Sequence, residues 1–362
     1  MVESAYIHTP FCKSKCKYCS FVSFADFSLK EEYLLALDKE ICVRYKGEVL
    51  KTLYIGGGTP SLLDVEELRA IAGRFGISRD TEFTLECNPE DVTTDFFYGA
   101  KSFGVNRISM GCQTFDDGVL KLIGRRHSSK KVEEAVKIAQ NSGFENVSLD
   151  FIYGLPEQSE KIFISDLARA VELGVQHISL YGLKIDEGCF FYNNPPAGLP
   201  DDEAQAKMYL SAVSFLTENG FEHYEISNFS KPGFNSRHNT NYWNNDFYYG
   251  FGEAAHGYGD GIRYSNETSI LKYIQNPTEH KEEHALSLRE ELEEEIFLGF
   301  RRMCGVNVAE IERKFGIDFE KKYSKILEKY VDSGHLRKTP EGYALTLDGV
   351  LVSNYILADF LE

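Results

Sequence analysis

Short β-rich runs alternate with longer helical patterns through the first half of this chain, and that alternation restricts the fold more than any other feature. The expected strands are Ala5–His8, Thr52–Ile55, Glu82–Glu86, Arg107–Met110, Val147–Ile152 and His177–Tyr181, with helical patterns at Glu31–Arg44, Val65–Phe75, Lys131–Asn141 and Ile162–Leu173 between them. In the third helix Val132, Ala135, Val136 and Ala139 recur at i, i+3, i+4 and i+7, which places one apolar stripe against a core. Repeated βα units imply a parallel sheet with helices on its outside. Six such units are too few for a closed eight-fold barrel, so the expectation is an α/β fold built as a partial (β/α)6 barrel. Several strands end in glycine or a polar residue, namely Gly56-Gly57-Gly58-Thr59, Glu86, Gly111-Cys112-Gln113, Asp150 and Gly182. In βα folds such ends meet at one mouth.

The core region is expected to span 1–200. An Asn-, Pro- and Gly-rich loop at 192–200 then leads into an extension, 201–284, with a Tyr-, Asn- and Gly-rich stretch. A small module at 285–362 follows, with helices near Glu290–Met303, Val308–Phe315 and Phe319–Ser333 and a hairpin at Leu336–Leu347 turning at Pro340-Glu341-Gly342. Three helices and a hairpin resemble a winged helix. The formal charge of −17 argues against a nucleic-acid partner, so packing or interaction is the expected role. The acidic run with Glu290, Glu291, Glu293, Glu294 and Glu295 reads as a solvated helix face. No apolar run approaches the ~18 residues of a membrane span, and the N-terminus lacks the pattern of a signal peptide. A cytoplasmic location is therefore expected.

Of the eight cysteines, Cys42, Cys87, Cys112, Cys189 and Cys304 are scattered, and most of these five read as buried thiols acting as small hydrophobes. The remaining three form Cys12-Lys13-Ser14-Lys15-Cys16-Lys17-Tyr18-Cys19, a C-x3-C-x2-C spacing directly after a strand. Three thiolates on one tight loop can ligate three irons of a cubane and leave the fourth open to a small chelating molecule. A structural zinc site wants four ligands, and no fourth lies at a matching distance. Lys13, Lys15 and Lys17 would stabilise thiolates and an anionic cluster.

This spacing resembles the signature of the radical S-adenosylmethionine superfamily. The resemblance implies a [4Fe–4S] cluster on Cys12, Cys16 and Cys19, with the methionine amino and carboxylate groups of S-adenosylmethionine on the open iron and reductive cleavage to an adenosyl radical as the associated chemistry. Gly56-Gly57-Gly58-Thr59-Pro60 resembles the segment that holds the methionine amino group. Glu86, Gln113, Arg125 and Asp150 match positions that contact S-adenosylmethionine in the related oxygen-independent coproporphyrinogen III oxidases. Tyr6 and Tyr18 match positions beside the cofactor and the cluster.

Those oxidases carry a fourth cysteine two residues beyond the third, where this chain has Phe21. That departure is similar instead to the HemW-type heme chaperones. His238-Asn239-Thr240-Asn241-Tyr242-Trp243 matches their H-N-x-x-Y-W motif, and Trp243 is the only tryptophan. The resemblance therefore implies heme as a third ligand, with His238, Tyr242 and Trp243 near it. Imidazole is a common axial ligand and aromatic rings pack on porphyrin faces. His256 and His223 are lesser candidates. It further implies delivery of heme to an acceptor, such as a membrane respiratory protein, and an electron-donor protein. A homodimer is left open. The alternative is an enzyme that decarboxylates coproporphyrinogen III propionates, and a radical enzyme acting on RNA is disfavoured by the charge.

Overall fold

The computed structural model describes residues 2–361. Its first half is a run of βα units: β1 (Ser4–Thr9), α1 (Lys30–Arg44), β2 (Thr52–Gly57), α2 (Val65–Ala72), β3 (Glu82–Cys87), α3 (Thr94–Ser102), β4 (Arg107–Gln113), α4 (Asp117–Leu122), α5 (Ser129–Asn141), β5 (Asn146–Tyr153), α6 (Glu160–Glu172) and β6 (His177–Gly182). Each of β1 to β5 pairs in parallel with the next strand in sequence. Strand order therefore equals chain order, and the right-handed crossovers stack all helices on one face of a curling sheet. The partial (β/α)6 barrel expected from the alternation is what the chain forms.

Alternation along each strand decides which side is which. Leu53 and Ile55, Phe83 and Leu85, Ile108 and Met110, Val147 and Leu149, and Ile178 and Leu180 join one apolar cluster with helix residues such as Leu37, Leu68, Phe97, Val136 and Leu167. The intervening residues face the lumen and are polar: Thr52 and Tyr54, Thr84 and Glu86, Arg107 and Ser109, Ser148 and Asp150, His177 and Ser179. Neighbours on adjacent strands hydrogen-bond along its wall, as where Ser148 Oγ lies 2.8 Å from His177 Nδ1. The dry core is thus the layer between sheet and helices, and the lumen is free to hold polar chemistry. Side-chain caps from Asp64, Thr93, Ser128 and Ser159 start α2, α3, α5 and α6.

Two later segments widen the sheet. After α7 (Phe190–Asn193) and α8 (Asp202–Glu218), the hairpin β7 (Glu222–Glu225) and β8 (Asn228–Ser230) adds antiparallel to β6. After α9 (Arg237–Trp243), the short β9 (Tyr249–Phe251) lies parallel to β1 on its other side. The resulting nine-stranded sheet runs β7-β8-β6-β5-β4-β3-β2-β1-β9 and ends at β7 and β9. Beyond β9, Tyr248 and Tyr258 exchange both backbone hydrogen bonds, at 2.8 and 2.9 Å. That contact starts a small antiparallel sheet of β10 (His256–Gly259), β11 (Ile262–Ser265) and, after α10 (Ile270–Gln275), β12 (Glu282–Ala285).

The C-terminal module comprises α11 (Leu288–Gly299), β13 (Val306–Asn307), α12 (Val308–Phe315), α13 (Phe319–Lys322), α14 (Ser324–Asp332), β14 (Leu336–Lys338), β15 (Gly342–Leu345), α15 (Leu347–Leu351) and α16 (Ser353–Ala358). The expected hairpin is β14–β15, and β13 adds a third strand to it. The module docks on the sheet's far end: Ile226 N donates to Arg301 O at 3.0 Å, and Met303 N donates to Tyr224 O at 3.1 Å. The acidic run departs from a purely solvated face. Glu290 closes a capping box with Ser287, while Glu294 and Glu295 pair with Arg263 and Lys314 at 2.7 and 2.6 Å. Among the described residues no helix is long and apolar enough to cross a membrane.

Candidate cofactor site

The cysteine loop leaves β1 and is pinned at several points. Cys12 N donates to Phe24 O at 2.9 Å, and Phe24 N donates to Pro10 O at 2.7 Å, so the loop closes on its own base. Lys17 N donates to Ile123 O, and Phe191 N donates to Lys17 O, tying the loop to α4 and α7. Cys12, Cys16 and Cys19 are thereby held, half-buried, on the wall of a cavity of about 560 Å³ at the C-terminal ends of the parallel strands. Tyr18, Gly57, Gly58, Thr59, Glu86, Gln113, Arg125 and Asp150 line the same cavity.

Gly57 and Gly58 are glycines for local reasons. Gly57 has φ +111°, and a Cβ there would meet His8 Nδ1 at 2.6 Å; one on Gly58 would meet Phe11 O at 2.7 Å. The β2 end therefore lies directly against the start of the cysteine loop. Gly57 N donates to Glu86 Oε2 at 3.1 Å, and Tyr54 Oη donates to Glu86 Oε1 at 2.7 Å. Burial pushes the Glu86 carboxyl up to about 7, with the Tyr54 hydrogen bond opposing and Asp150 adding to the rise. Burial likewise raises Asp150, against hydrogen bonds from neighbouring serines; Ser109 Oγ donates to it at 3.1 Å. Two buried carboxyls with raised pKa values facing one cavity form a setting that favours a cationic ligand.

Arg125 is one of two arginines on the cavity wall. Its Nη2 donates to Gly111 O at 2.7 Å and to Asn88 Oδ1 at 2.9 Å, while Nη1 approaches Cys16 Sγ at 3.7 Å. Burial works against a charge there, but Tyr18 and Cys16 hold the guanidinium's pKa above its ordinary value. Arg125 Nε is buried and has no protein partner, a donor left for an anionic group. Gln113 sits beside it at φ +68°, next to a bulge in β4, with its amide over Gly111. A non-glycine residue in that region is strained backbone of the kind that gathers at functional sites.

The three sulfurs, the orphaned guanidinium nitrogen and the glycine turn suit a cubane cluster and a zwitterionic ligand. Among the described residues no three His, Cys, Asp or Glu side chains converge as for a single metal ion. In a cubane each thiolate takes a different iron, so the sulfurs stand apart.

Residues 6–170 match the radical SAM superfamily, and residues 286–352 match the HemN C-terminal domain. The heme chaperone HemW of Lactococcus lactis is 38% identical, over 99% of this chain and 97% of that one. The HemW of Bacillus subtilis is 37% identical over 99% of both chains. The chain belongs to the HemW family. Among solved structures, the coproporphyrinogen III oxidase HemN of Escherichia coli superposes with a TM-score of 0.86 at 22% identity, covering 99% of this chain and 89% of that one, which establishes a shared fold.

Of the H-N-x-x-Y-W motif in this HemW-family chain, Asn239 lines the cofactor cavity, while its other named residues lie away from it. His238, on α9, is 1% exposed. Its Nδ1 lies 2.8 Å from Thr52 Oγ1 and its Nε2 lies 2.9 Å from Tyr242 Oη, so both ring nitrogens are engaged. Burial lowers it to about 3, with Arg107 adding to the fall. Tyr242 and Trp243 line a separate groove with Tyr248, Arg263, His284 and Phe297, where Asp246, Glu290, Glu293 and Glu294 make the wall acidic. Tyr6 is not on the cofactor cavity's wall either; its hydroxyl lies 3.1 Å from His8 Nδ1 behind it. His256 is exposed, and His223 is half-buried and stacked on Phe229 at 4.4 Å.

Sequence reasoning missed Asn88 and Arg107, which also line the cavity. Asn88 stands one residue past β3, level with the other strand-end residues, and that position was the signal for it. Arg107 opens β4 on its lumen face, a polar residue in a strand whose alternate positions are apolar.

Proposed function

We propose that this protein is a heme chaperone that carries a [4Fe–4S] cluster on Cys12, Cys16 and Cys19 and S-adenosylmethionine beside it. The convergence of the three cysteines and the buried, half-satisfied Arg125 on one cavity, in a chain of the HemW family, carries the reading. When bound, the cluster with S-adenosylmethionine supplies one-electron reductive chemistry. Arg125 would hold the methionine carboxylate through Nε. Glu86, with Gly57, Gly58 and Thr59, would hold the amino group. Gln113 and Asp150 would meet the ribose, and Tyr18 would shield the cluster.

Heme in this reading meets the cavity mouth rather than His238. Phe21, in the position the oxidases give to a fourth cysteine, is 70% exposed there, with Lys15 and Lys184 on the same rim. An apolar ring and the Lys15 ammonium suit a flat ligand with an anionic edge, Lys184 being paired with Asp186 at 3.0 Å, whereas the acidic groove at Trp243 would repel such an edge. The 238–243 motif then serves as a rigid floor under the barrel. Heme would pass from the mouth to an acceptor protein, after the name the relatives bear. A membrane respiratory protein is the acceptor we favour, with a separate protein donating the electron.

Titrating heme into purified, cluster-reconstituted protein tests this: a saturable change in the Soret band is expected, and its absence would overturn the reading. Anaerobic incubation with coproporphyrinogen, reductant and S-adenosylmethionine should yield no protoporphyrinogen. Clear product would favour the decarboxylating enzyme instead.

A further inference from the structure

The strand-end residue Asn88 is locked from both directions. Its backbone N donates to Ser61 Oγ at 3.1 Å, and its carbonyl accepts from Asp91 N at 3.1 Å. Its side chain lies between two groups that each touch a cluster cysteine. The oxygen Oδ1 accepts from Arg125 Nη2 at 2.9 Å, and Nδ2 donates to Thr59 Oγ1 at 3.0 Å. A guanidinium has donors only, so the amide oxygen must face Arg125 and the amide nitrogen must face Thr59. With one lone pair of the Thr59 hydroxyl taken by Nδ2, its proton is directed to the remaining neighbour, Cys12 Sγ, at 3.4 Å. On the other side, Nη2 of Arg125 is spent on Asn88 and Gly111, which fixes the guanidinium plane and leaves Nη1 aimed at Cys16 Sγ. The chain Cys12–Thr59–Asn88–Arg125–Cys16 is thus continuous, and every hydrogen bond in it is directed so that both sulfurs accept.

We propose that Asn88 is a positioning residue that aims one donor at each of two cluster thiolates. This rests on the cluster assignment above. Hydrogen bonds to ligating sulfur favour the more negative, reduced cluster, and outer-shell partners that orient such donors govern how tightly a metal is retained. One amide therefore governs two sulfur ligands from opposite sides of the cavity, without touching either.

The test compares the cluster-reconstituted protein with Asn88→Leu, Asn88→Asp, Thr59→Val and Thr59→Ser. Each is read by redox titration of the cluster and by the exchangeable-proton couplings of the reduced cluster in heavy water. Asn88→Asp keeps the acceptor for Arg125 and loses the donor to Thr59, whose hydroxyl then turns to the new carboxylate. Asn88→Leu loses both contacts. Asn88→Asp should lose the exchangeable coupling that Thr59→Val loses. Asn88→Leu offers the Thr59 proton no other acceptor, so it should keep that coupling and weaken the one from Arg125 Nη1. All three should move the cluster potential to more negative values. Thr59→Ser should restore both signals. Adding Thr59→Val to Asn88→Asp should remove no further coupling, because the second change removes a bond already gone. Chelator should strip the cluster from the Asn88 variants about 10- to 100-fold faster, the usual scale for lost outer-shell partners. A folded variant that cannot keep its cluster at all is the extreme of that expectation. An unchanged potential and unchanged coupling in both Asn88 variants would overturn the proposal, as would independent loss of coupling in the double variant. If the unmodified protein takes up no cluster, it is the cluster assignment that fails.

Discussion

His238 and Tyr242, one helical turn apart on α9, are hydrogen-bonded to each other at 2.9 Å, and the imidazole's other nitrogen is bonded to Thr52 across the lumen. A histidine held in this way is a structural pin, and its neutrality has a measurable cost. Its pKa is about 3 in the folded chain and near 6.5 unfolded, so between those values the unfolded chain binds the extra proton. Stability conferred by the neutral ring is complete above pH 6.5 and lost as pH falls through that window, at about 1.4 kcal/mol per pH unit. His238→Gln should destabilise the protein at pH 7, and the gap to the parent should narrow by that slope on acidification. Urea unfolding from pH 7 to pH 5 checks it; parallel slopes would mean the ring titrates normally. Folded His238→Gln protein should also keep the parent's heme spectrum.

Arg125→Lys removes a planar fork whose donors go to Cys16, Asn88 and Gly111. Lysine offers a single ammonium and cannot reproduce it. A charge-assisted hydrogen bond is worth roughly 1.5–3 kcal/mol, so S-adenosylmethionine should bind about 10- to 100-fold more weakly. Calorimetric titration of the cluster-loaded protein measures this, and equal affinity would remove Arg125 from the binding residues.

Gly58→Ala places a methyl 2.7 Å from Phe11 O and 2.9 Å from Thr9 O, both main-chain atoms that cannot swing aside. The start of the cysteine loop must shift. A loss of about 1–3 kcal/mol is expected from such overpacking, together with reduced iron per chain after reconstitution. Melting curves and iron analysis read the two effects separately.

Phe21→Ala should leave stability within about 0.5 kcal/mol, since a side chain 70% exposed contributes little to the core. Heme affinity should fall roughly 2- to 10-fold, the scale of one aromatic contact. Unaltered affinity would mean heme does not meet this mouth.

The strands, the cysteine loop and the cavity residues were legible in the sequence because each rests on a short-range rule. Apolar alternation and glycine punctuation marked β1 to β6, and the strand ends then placed Thr59, Glu86, Gln113 and Asp150 together. Tyr249–Phe251 escaped notice because three residues carry no period, and their strand identity comes from pairing with β1, more than 200 residues earlier. Asn88 escaped because its role lies in two hydrogen bonds to residues distant in sequence. His238 was legible as a special residue, but only the packing of Thr52 and Tyr242 around it shows that both its nitrogens are engaged.

An open sheet has two raw edges, and strand edges invite pairing with other chains. Here the backbone of β7 is met by residues 301–303 of the C-terminal module, and the region before β9 is met by Tyr258. The module is therefore a seal on the seam of the barrel, not a detachable passenger. A chain cut at 285 would keep Cys12, Cys16 and Cys19 and every residue lining the cofactor cavity, yet it would bare the β7 backbone to its own copies and should self-associate.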